Sequence, residues 1–245
     1  MDSKYLELSG GTDMNKIGII GAMDEEVNII KGQMLRVTVK TIASMDFYEG
    51  TFNGKEVVVV RCGIGKVNAA ICTQILADLY HIDAVINTGV AGSLRNEIDI
   101  ADIVLSTDTQ QHDMDATGFG YGLGVIPRME RSIFEADKQM IDLAKAVCTE
   151  VIPNVGVHTG RIVSGDQFIS DSGKKTWLVE NFDGYCTEME GAAIAQTAHL
   201  NQIPFLIIRA ISDKADHSAE MTYSEFEEIA IKNTVKLLNG LVEKI

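Results

Sequence analysis

Cysteine is scarce and dispersed in this chain. Cys62, Cys72, Cys148 and Cys186 form no CxxC pair and no dense framework of the kind that small secreted domains need, so they read as buried reduced thiols. Positive charge is also short, with 21 Lys and Arg against 35 Asp and Glu and a net charge of −14. A field of that sign repels phosphate backbones and anionic bilayer surfaces, which argues against nucleic acid and membrane as partners. Long apolar runs are missing too. Val57 to Val60 and Phe205 to Ile208 stop far short of the roughly 20 residues that span a bilayer. Residues 1–13 lack an apolar signal core and read as a leader or extension ahead of Met14. A cytoplasmic protein with one domain over 14–245 is the expectation, since 46% hydrophobic and 23% charged residues in 245 suffice for one large core.

Several familiar catalytic signatures are absent as well. Neither Gly63-Ile64-Gly65-Lys66 nor Gly89-Val90-Ala91-Gly92 is a dinucleotide fingerprint or a triphosphate loop. Gly92-Ser93 and Ser164-Gly165-Asp166 lack the nucleophile elbow, which disfavours a covalent serine mechanism. The five histidines show no close ligand spacing; His112, Asp113 and Asp115 sit in a glycine-rich loop that they more naturally order than turn into a metal site. The single Trp177 reads as a core or lid residue.

What is present is an alternation of apolar strands and amphipathic helices. Lys16 to Gly21 is a strand delivering the chain into a helix with Val27, Ile30 and Met34 on one stripe. Asp46 to Thr51 and Glu56 to Arg61 flank Asn53-Gly54, a pair that tight hairpins favour. A helix over Lys66 to Tyr80, strands over Asp83 to Thr88 and Asp102 to Thr107, and a long connection from Thr109 to Pro127 follow. Beyond these come a helix over Ala136 to Thr149, strands at Val155 to Ser164 and Tyr185 to Glu188, and a helix from Met189 to Leu200. A buried strand at Phe205 to Ala210 precedes a terminal helix from Met221, entered through a capping box at Thr222 and Glu225. The pattern predicts a single α/β domain, with a mixed central sheet and helices on both faces.

The two glycine runs follow strands, where they read either as tight turns or as the floor of a pocket at the strand ends. Glu26, Glu188, Glu190 and Asp213 each follow a buried-looking strand. An acid there is a helix cap, or it is paired, hydrogen-bonded or used.

Six segments, read in order, carry a family resemblance: KIGIIGAMDEEV from Lys16, RCGIGKVNAA from Arg61, INTGVAG from Ile86, GRIVSGDQFI from Gly160, TEMEGAAIA from Thr187 and RAISDKAD from Arg209. Together they resemble the bacterial methylthioadenosine/S-adenosylhomocysteine nucleosidases of the purine nucleoside phosphorylase superfamily. The resemblance runs from Met14 to the C-terminus. It implies a nucleoside phosphorylase-like fold, a homodimer, no cofactor and no metal. The implied activity is hydrolysis of the N-glycosidic bond of 5′-methylthioadenosine and S-adenosylhomocysteine, with 5′-deoxyadenosine as a further substrate.

The resemblance implies Glu26 as the water-activating base and Asp213 as the acid at purine N7. Glu190 is the implied ribose carboxylate and Arg209 the residue that orients it. In the implied site Phe168 and Ile169 would pack on the purine, with the Ile169 backbone reading its edge, while Met23 and Met189 would line the ribose side beside Gly92. By the same resemblance, Phe119, Tyr121 and Pro127 are expected to reach the neighbouring subunit's alkylthio pocket. Tyr223 stands where the family often has Phe, and Val90 where it often has Ser. The alternatives inside the fold are an aminodeoxyfutalosine hydrolase and a phosphate-dependent phosphorylase. The contrasting class is a nucleoside-binding protein without activity, which release of adenine would distinguish.

Overall fold

The computed structural model describes residues 14–216 and 219–245, with the helical backbone alone at 220–225 and 227. The extension over residues 1–13 lies outside the described residues. β1 (Lys16–Gly21) leads into α1 (Asp24–Gln33). β2 (Leu35–Ile42), β3 (Met45–Phe52) and β4 (Lys55–Arg61) form an antiparallel meander. Its second turn is Asn53-Gly54, both at positive φ, as the residue pair suggested. β2 has no counterpart in the sequence reading. It is an edge strand exposed along almost its whole length, so no buried face marks it.

α2 (Lys66–Ile75) ends in a π turn over Leu76–Tyr80, and β5 (Ala84–Ser93) and β6 (Ile103–Gln111) follow. A long loop with a 3₁₀ turn at Thr117–Phe119 reaches β7 (Ile133–Glu135). α3 (Lys138–Val151), β8 (Val157–Ser164), α4 (Ser172–Phe182), β9 (Cys186–Glu188), α5 (Gly191–Leu200), β10 (Phe205–Asp213) and α6 (Ala219–Lys244) complete the chain.

These strands make one mixed sheet in the order β10-β6-β8-β9-β5-β1-β4-β3-β2, with β7 on β6. Because β10 also pairs with β5, the strands β5, β10, β6, β8 and β9 close into a ring. One apolar cluster packs α1, α3 and α6 on one face, through Ile30, Ala144, Leu238 and Leu241. Another packs α2 and α5 on the other face, through Ala69, Cys72, Ile194 and Ala198. Helices on both faces of a mixed sheet are what the alternation predicted.

Three boundaries differ in ways that matter for function. β5 runs through Gly89-Val90-Ala91-Gly92, and β6 runs through Gln111, so the second glycine run is strand rather than turn. The long loop therefore begins at His112, not Thr109. α6 begins at Ala219, whose amide donates to Asp216 O at 2.9 Å, so Thr222 lies inside the helix rather than at its cap. The side chains of Thr222 and Glu225 lie outside the described residues.

α6 is the longest helix described and its Leu237, Leu238 and Leu241 are fully buried. Leu238→Ala is expected to lower stability by about 2–5 kcal/mol through lost burial and a residual cavity. Urea unfolding should show the midpoint falling with an unchanged slope.

Candidate active site

The strand ends and helix starts converge on a cavity of about 250 Å³. Its walls include Met23, Glu26, Val90, Gly92, Phe168, Met189, Glu190 and Asp213, drawn from five separate stretches of sequence. Glu26 sits in the first turn of α1, where Oε2 accepts the amides of Ala22 at 2.6 Å and Met23 at 3.0 Å. The helix start grips one oxygen, and Oε1 faces Gly89 and the Val90 amide at 3.4 Å. Burial raises the Glu26 pKa, opposed by the Arg209 charge and by those amides.

Glycine in β5 is what admits these acids. A Cβ at Gly89 would lie 2.8 Å from Glu26 Oε1, and one at Gly92 would lie 2.7 Å from Asp213 Oδ1. The two carboxylates thus rest on bare backbone. Asp213 ends β10 and pairs with Gly92 across the ladder. It accepts from the Ala215 amide at 2.8 Å and from Ser212 Oγ at 2.9 Å. It lies six residues before α6, so it does not cap that helix. Burial raises its pKa against both hydrogen bonds.

Glu190 precedes α5 and accepts the Gly65 amide at 2.8 Å. Burial first, and the Glu188 charge second, push its pKa up to about 8 against the Gly65 hydrogen bond and Arg209. The guanidinium expected to orient Glu190 does something else. Arg209 donates through Nη2 to Glu188 and, at 2.5 Å, to Asn87 Oδ1. Glu188 in turn holds the Glu190 amide at 3.1 Å and the Gly191 amide at 2.7 Å, and it accepts from Ser164 Oγ. Arg209 thus orients the start of α5 through Glu188, bonding Glu188 rather than Glu190. It is fully buried and outside the cavity wall.

The remaining site residues divide. Met23, Gly92, Phe168 and Met189 line the cavity. Ile169 is buried in a cluster with Leu94, Val163, Leu178 and Phe182, so its side chain faces the core. Phe119, Tyr121 and Pro127 do not line this chain's cavity, and Phe119 is 88% exposed. The side chain of Tyr223 lies outside the described residues. Trp177 packs on Phe182 from α4, away from the cavity wall. His112, Asp113 and Asp115 go separate ways: the imidazole is buried against Gly165, Asp113 pairs with Lys66, and Asp115 bonds Thr117. Among the described residues no group of three metal-ligating side chains converges.

Among the wall residues that the sequence reading did not assign to the site are Ile64 and Thr187. Ile64 lies in the first glycine run, and Thr187 is buried opposite Gly92 on β9, its hydroxyl without a partner among the described residues. Only the closure of the strand ring brings Thr187 there, so no local signal announces it.

This ring of strands and its acid-walled cavity place the chain in the phosphorylase superfamily, whose pattern it matches over residues 16–243. Curated relatives narrow the class. A 5′-methylthioadenosine/S-adenosylhomocysteine nucleosidase of Halalkalibacterium halodurans is 43% identical over 235 residues, covering 95% of this chain and 100% of that protein. One from an Exiguobacterium species is 42% identical over 231 residues, covering 94% and 98%. The solved Neisseria meningitidis nucleosidase, in complex with methylthio-immucillin-A, superposes with a TM-score of 0.91 at 37% identity, covering 94% of this chain and 100% of that one. The Streptococcus pyogenes S-adenosylhomocysteine nucleosidase with 5-methylthiotubericidin gives 0.90 at 34% identity, covering 96% and 99%. The chain belongs to the 5′-methylthioadenosine/S-adenosylhomocysteine nucleosidase family.

The raised acids have a consequence for stability. Glu190 binds its proton more tightly in the fold than its ordinary value of 4.5 allows, so its contribution is complete below that value and is lost as pH rises through about 8. Urea unfolding is expected to show stability falling from pH 6 to pH 9, with Glu190→Gln flattening that slope.

Proposed function

We propose that the protein hydrolyses the N-glycosidic bond of 5′-methylthioadenosine and S-adenosylhomocysteine, releasing adenine and the 5-substituted ribose. The observation that carries this reading is the convergence of Glu26, Glu190 and Asp213, three buried carboxyls of raised pKa, on one cavity. Adenine leaves poorly as an anion. An Asp213 that holds its proton can deliver it to purine N7 as the N9–C1′ bond breaks. Glu26 in its ionised form takes a proton from the water that attacks C1′, and Glu190 holds the ribose hydroxyls, its ionised form offsetting the positive charge that develops on the sugar. Water supplies the hydroxyl to the ribose, and the purine departs as neutral adenine.

Phe168 and the Ile169 backbone hold the purine in this reading, with Met23 and Met189 against the ribose. Water is favoured over phosphate because no Lys, Arg or His lines the cavity among the described residues. The nearest guanidinium, Arg209, is already engaged by Glu188. A dianion beside Glu26 and Glu190 would meet uncompensated negative charge. Val90 presents no hydroxyl to an anion.

A cytoplasmic homodimer belongs to the same proposal. Four buried free thiols suit a reducing compartment. The loop carrying Phe119, Tyr121 and Pro127 projects apolar side chains that a neighbouring subunit's 5′-substituent pocket would cover. Tyr223 would close that same end.

Purified protein should convert methylthioadenosine to adenine and methylthioribose in phosphate-free buffer. Strict dependence on phosphate with a ribose 1-phosphate product, read by chromatography of both products, would sink the hydrolase reading. Aminodeoxyfutalosine and 5′-deoxyadenosine in the same panel define the 5′ preference. For Asp213→Asn, kcat should fall by about 10²- to 10⁴-fold while ligand binding survives. Near-wild-type turnover of the folded variant would remove Asp213 from the mechanism.

A further inference from the structure

Two successive amides at the start of α2 hold two different carboxylates. The Gly65 N–H donates to Glu190 Oε1 and the Lys66 N–H donates to Asp166 Oδ1, each at 2.8 Å. Glu190 belongs to the ribose side of the cavity. Asp166 stands two residues before Phe168, in the loop that supplies the opposite wall. The Asp166 backbone is held as well, since its own amide donates to Asp113 Oδ2 at 2.9 Å. Asp113 Oδ1 accepts from Lys66 Nζ at 2.5 Å, and that ammonium also donates to Gln111 Oε1 at 2.9 Å. Lys66 therefore contacts Asp166 through its backbone and Asp113 through its side chain, closing a small circuit among α2, the base of the long loop and the Phe168 loop.

The pivot of this circuit is Gly65. Its φ of +97° lies where L side chains are strained, and a Cβ there would stand 3.1 Å from Asp166 Oδ1. Glycine lets the two carboxylates approach adjacent amides, and it leaves the peptide planes on either side free to turn unless something fixes them. Asp166 supplies the part of that restraint that comes from the Phe168 loop. With it gone, nothing else described bonds the Lys66 amide from outside α2; the Gly65-Lys66 peptide keeps the Ala69 amide on Gly65 O at 3.1 Å, and the preceding peptide, which carries the Gly65 N–H, keeps Asn68 Nδ2 on Ile64 O at 2.7 Å, so the loss loosens the Gly65 turn rather than freeing it.

We propose that Asp166 is a positioning residue that couples purine capture to the ribose carboxylate: it pins the Phe168 loop and, through the Gly65-Lys66 peptide, steadies the Gly65 turn whose own N–H holds Glu190. The inference rests on the hydrolase reading, because it assigns Phe168 to the purine and Glu190 to the sugar. A loop anchor alone would affect only binding of the base. A coupled anchor would also alter stabilisation of the sugar cation, which appears in kcat.

The test uses the full chain, with adenine and methylthioadenosine as probes. Asp166 is exposed, so Asp166→Ala should fold, and thermal unfolding checks that it does. The expected result is an adenine Kd weakened about 10-fold together with a kcat lowered about 10-fold, the scale of a misplaced catalytic group softened by an exposed anchor. Asp166→Asn keeps an acceptor oxygen for the Lys66 amide and should recover most of both losses. A change in only one of the two quantities, or in neither, would overturn the coupling. Wild-type protein that releases no adenine from methylthioadenosine would instead remove the functional reading, and this inference with it. That result is distinguished because it is obtained before any variant is compared.

Discussion

The buried pair between Arg209 and Glu188 is the constraint on which the site depends. Both side chains are almost wholly withdrawn from solvent, where an ionised group is tolerated only when paired and hydrogen-bonded. Here the bonding extends well beyond the pair. Arg209 also reaches Asn87 on β5 and its neighbour's carbonyl at Ile208, while Asn87 donates to Ile20 O on β1 at 2.9 Å. Glu188 ties β9 to Ser164 at the end of β8 and to the first amides of α5. Strands β1, β5, β8, β9 and β10 are thereby registered to one another at the ends that form the cavity. Removing either partner would leave the other charge buried and alone, which is more costly than the pair's net contribution. Burial depresses the Arg209 pKa, but the nearby Glu188, Glu190 and Glu26 outweigh it and raise the value overall.

Around that pair the other acids are held by backbone. Glu26 is gripped by Ala22 and Met23, Glu190 by Gly65, and Asp213 by Ala215. Amide dipoles stabilise a carboxylate without neutralising it. A lysine or arginine in contact would hold the acid firmly ionised, and a proton could then neither arrive nor leave near neutrality. With burial raising each pKa and amides opposing it, these groups stay responsive to the charge of whatever occupies the cavity.

The sequence was most legible where periodicity and local chemistry coincide. Lys16–Gly21, the Asn53-Gly54 hairpin and the Phe205 strand all declare themselves through apolar runs and turn residues. The acids were visible as a set because each follows such a strand. Their partners were not. Nothing local distinguishes Glu188 from Glu190, two residues apart and both on the cavity wall, yet one closes a buried ion pair with Arg209 and the other accepts the Gly65 amide. That division follows from the end of β9 at Glu188 and the turn into α5 at Glu190, and from ring closure between β5 and β10, all properties of the assembled fold. β2 was illegible for the opposite reason, since an exposed edge strand imposes no burial pattern on its residues.

The glycine runs show why composition underdetermines a site. As sequence, Gly89-Val90-Ala91-Gly92 after an apolar run reads either as a tight turn or as the floor of a pocket. In the fold it is strand, and its glycines exist for what lies above them rather than for how the chain bends. Gly92 occupies the middle of a three-strand row, paired with Asp213 on β10 and Thr187 on β9. Side chains at paired positions share a face, so the missing Cβ opens a slot between an acid and a hydroxyl. Gly89 makes the equivalent space for Glu26, with the Arg209 guanidinium 3.4 Å from the same point. Any larger residue at either position would push a carboxylate off the backbone before it disturbed the strand. The sheet can carry buried acids at its centre because two of its residues have no side chain at all.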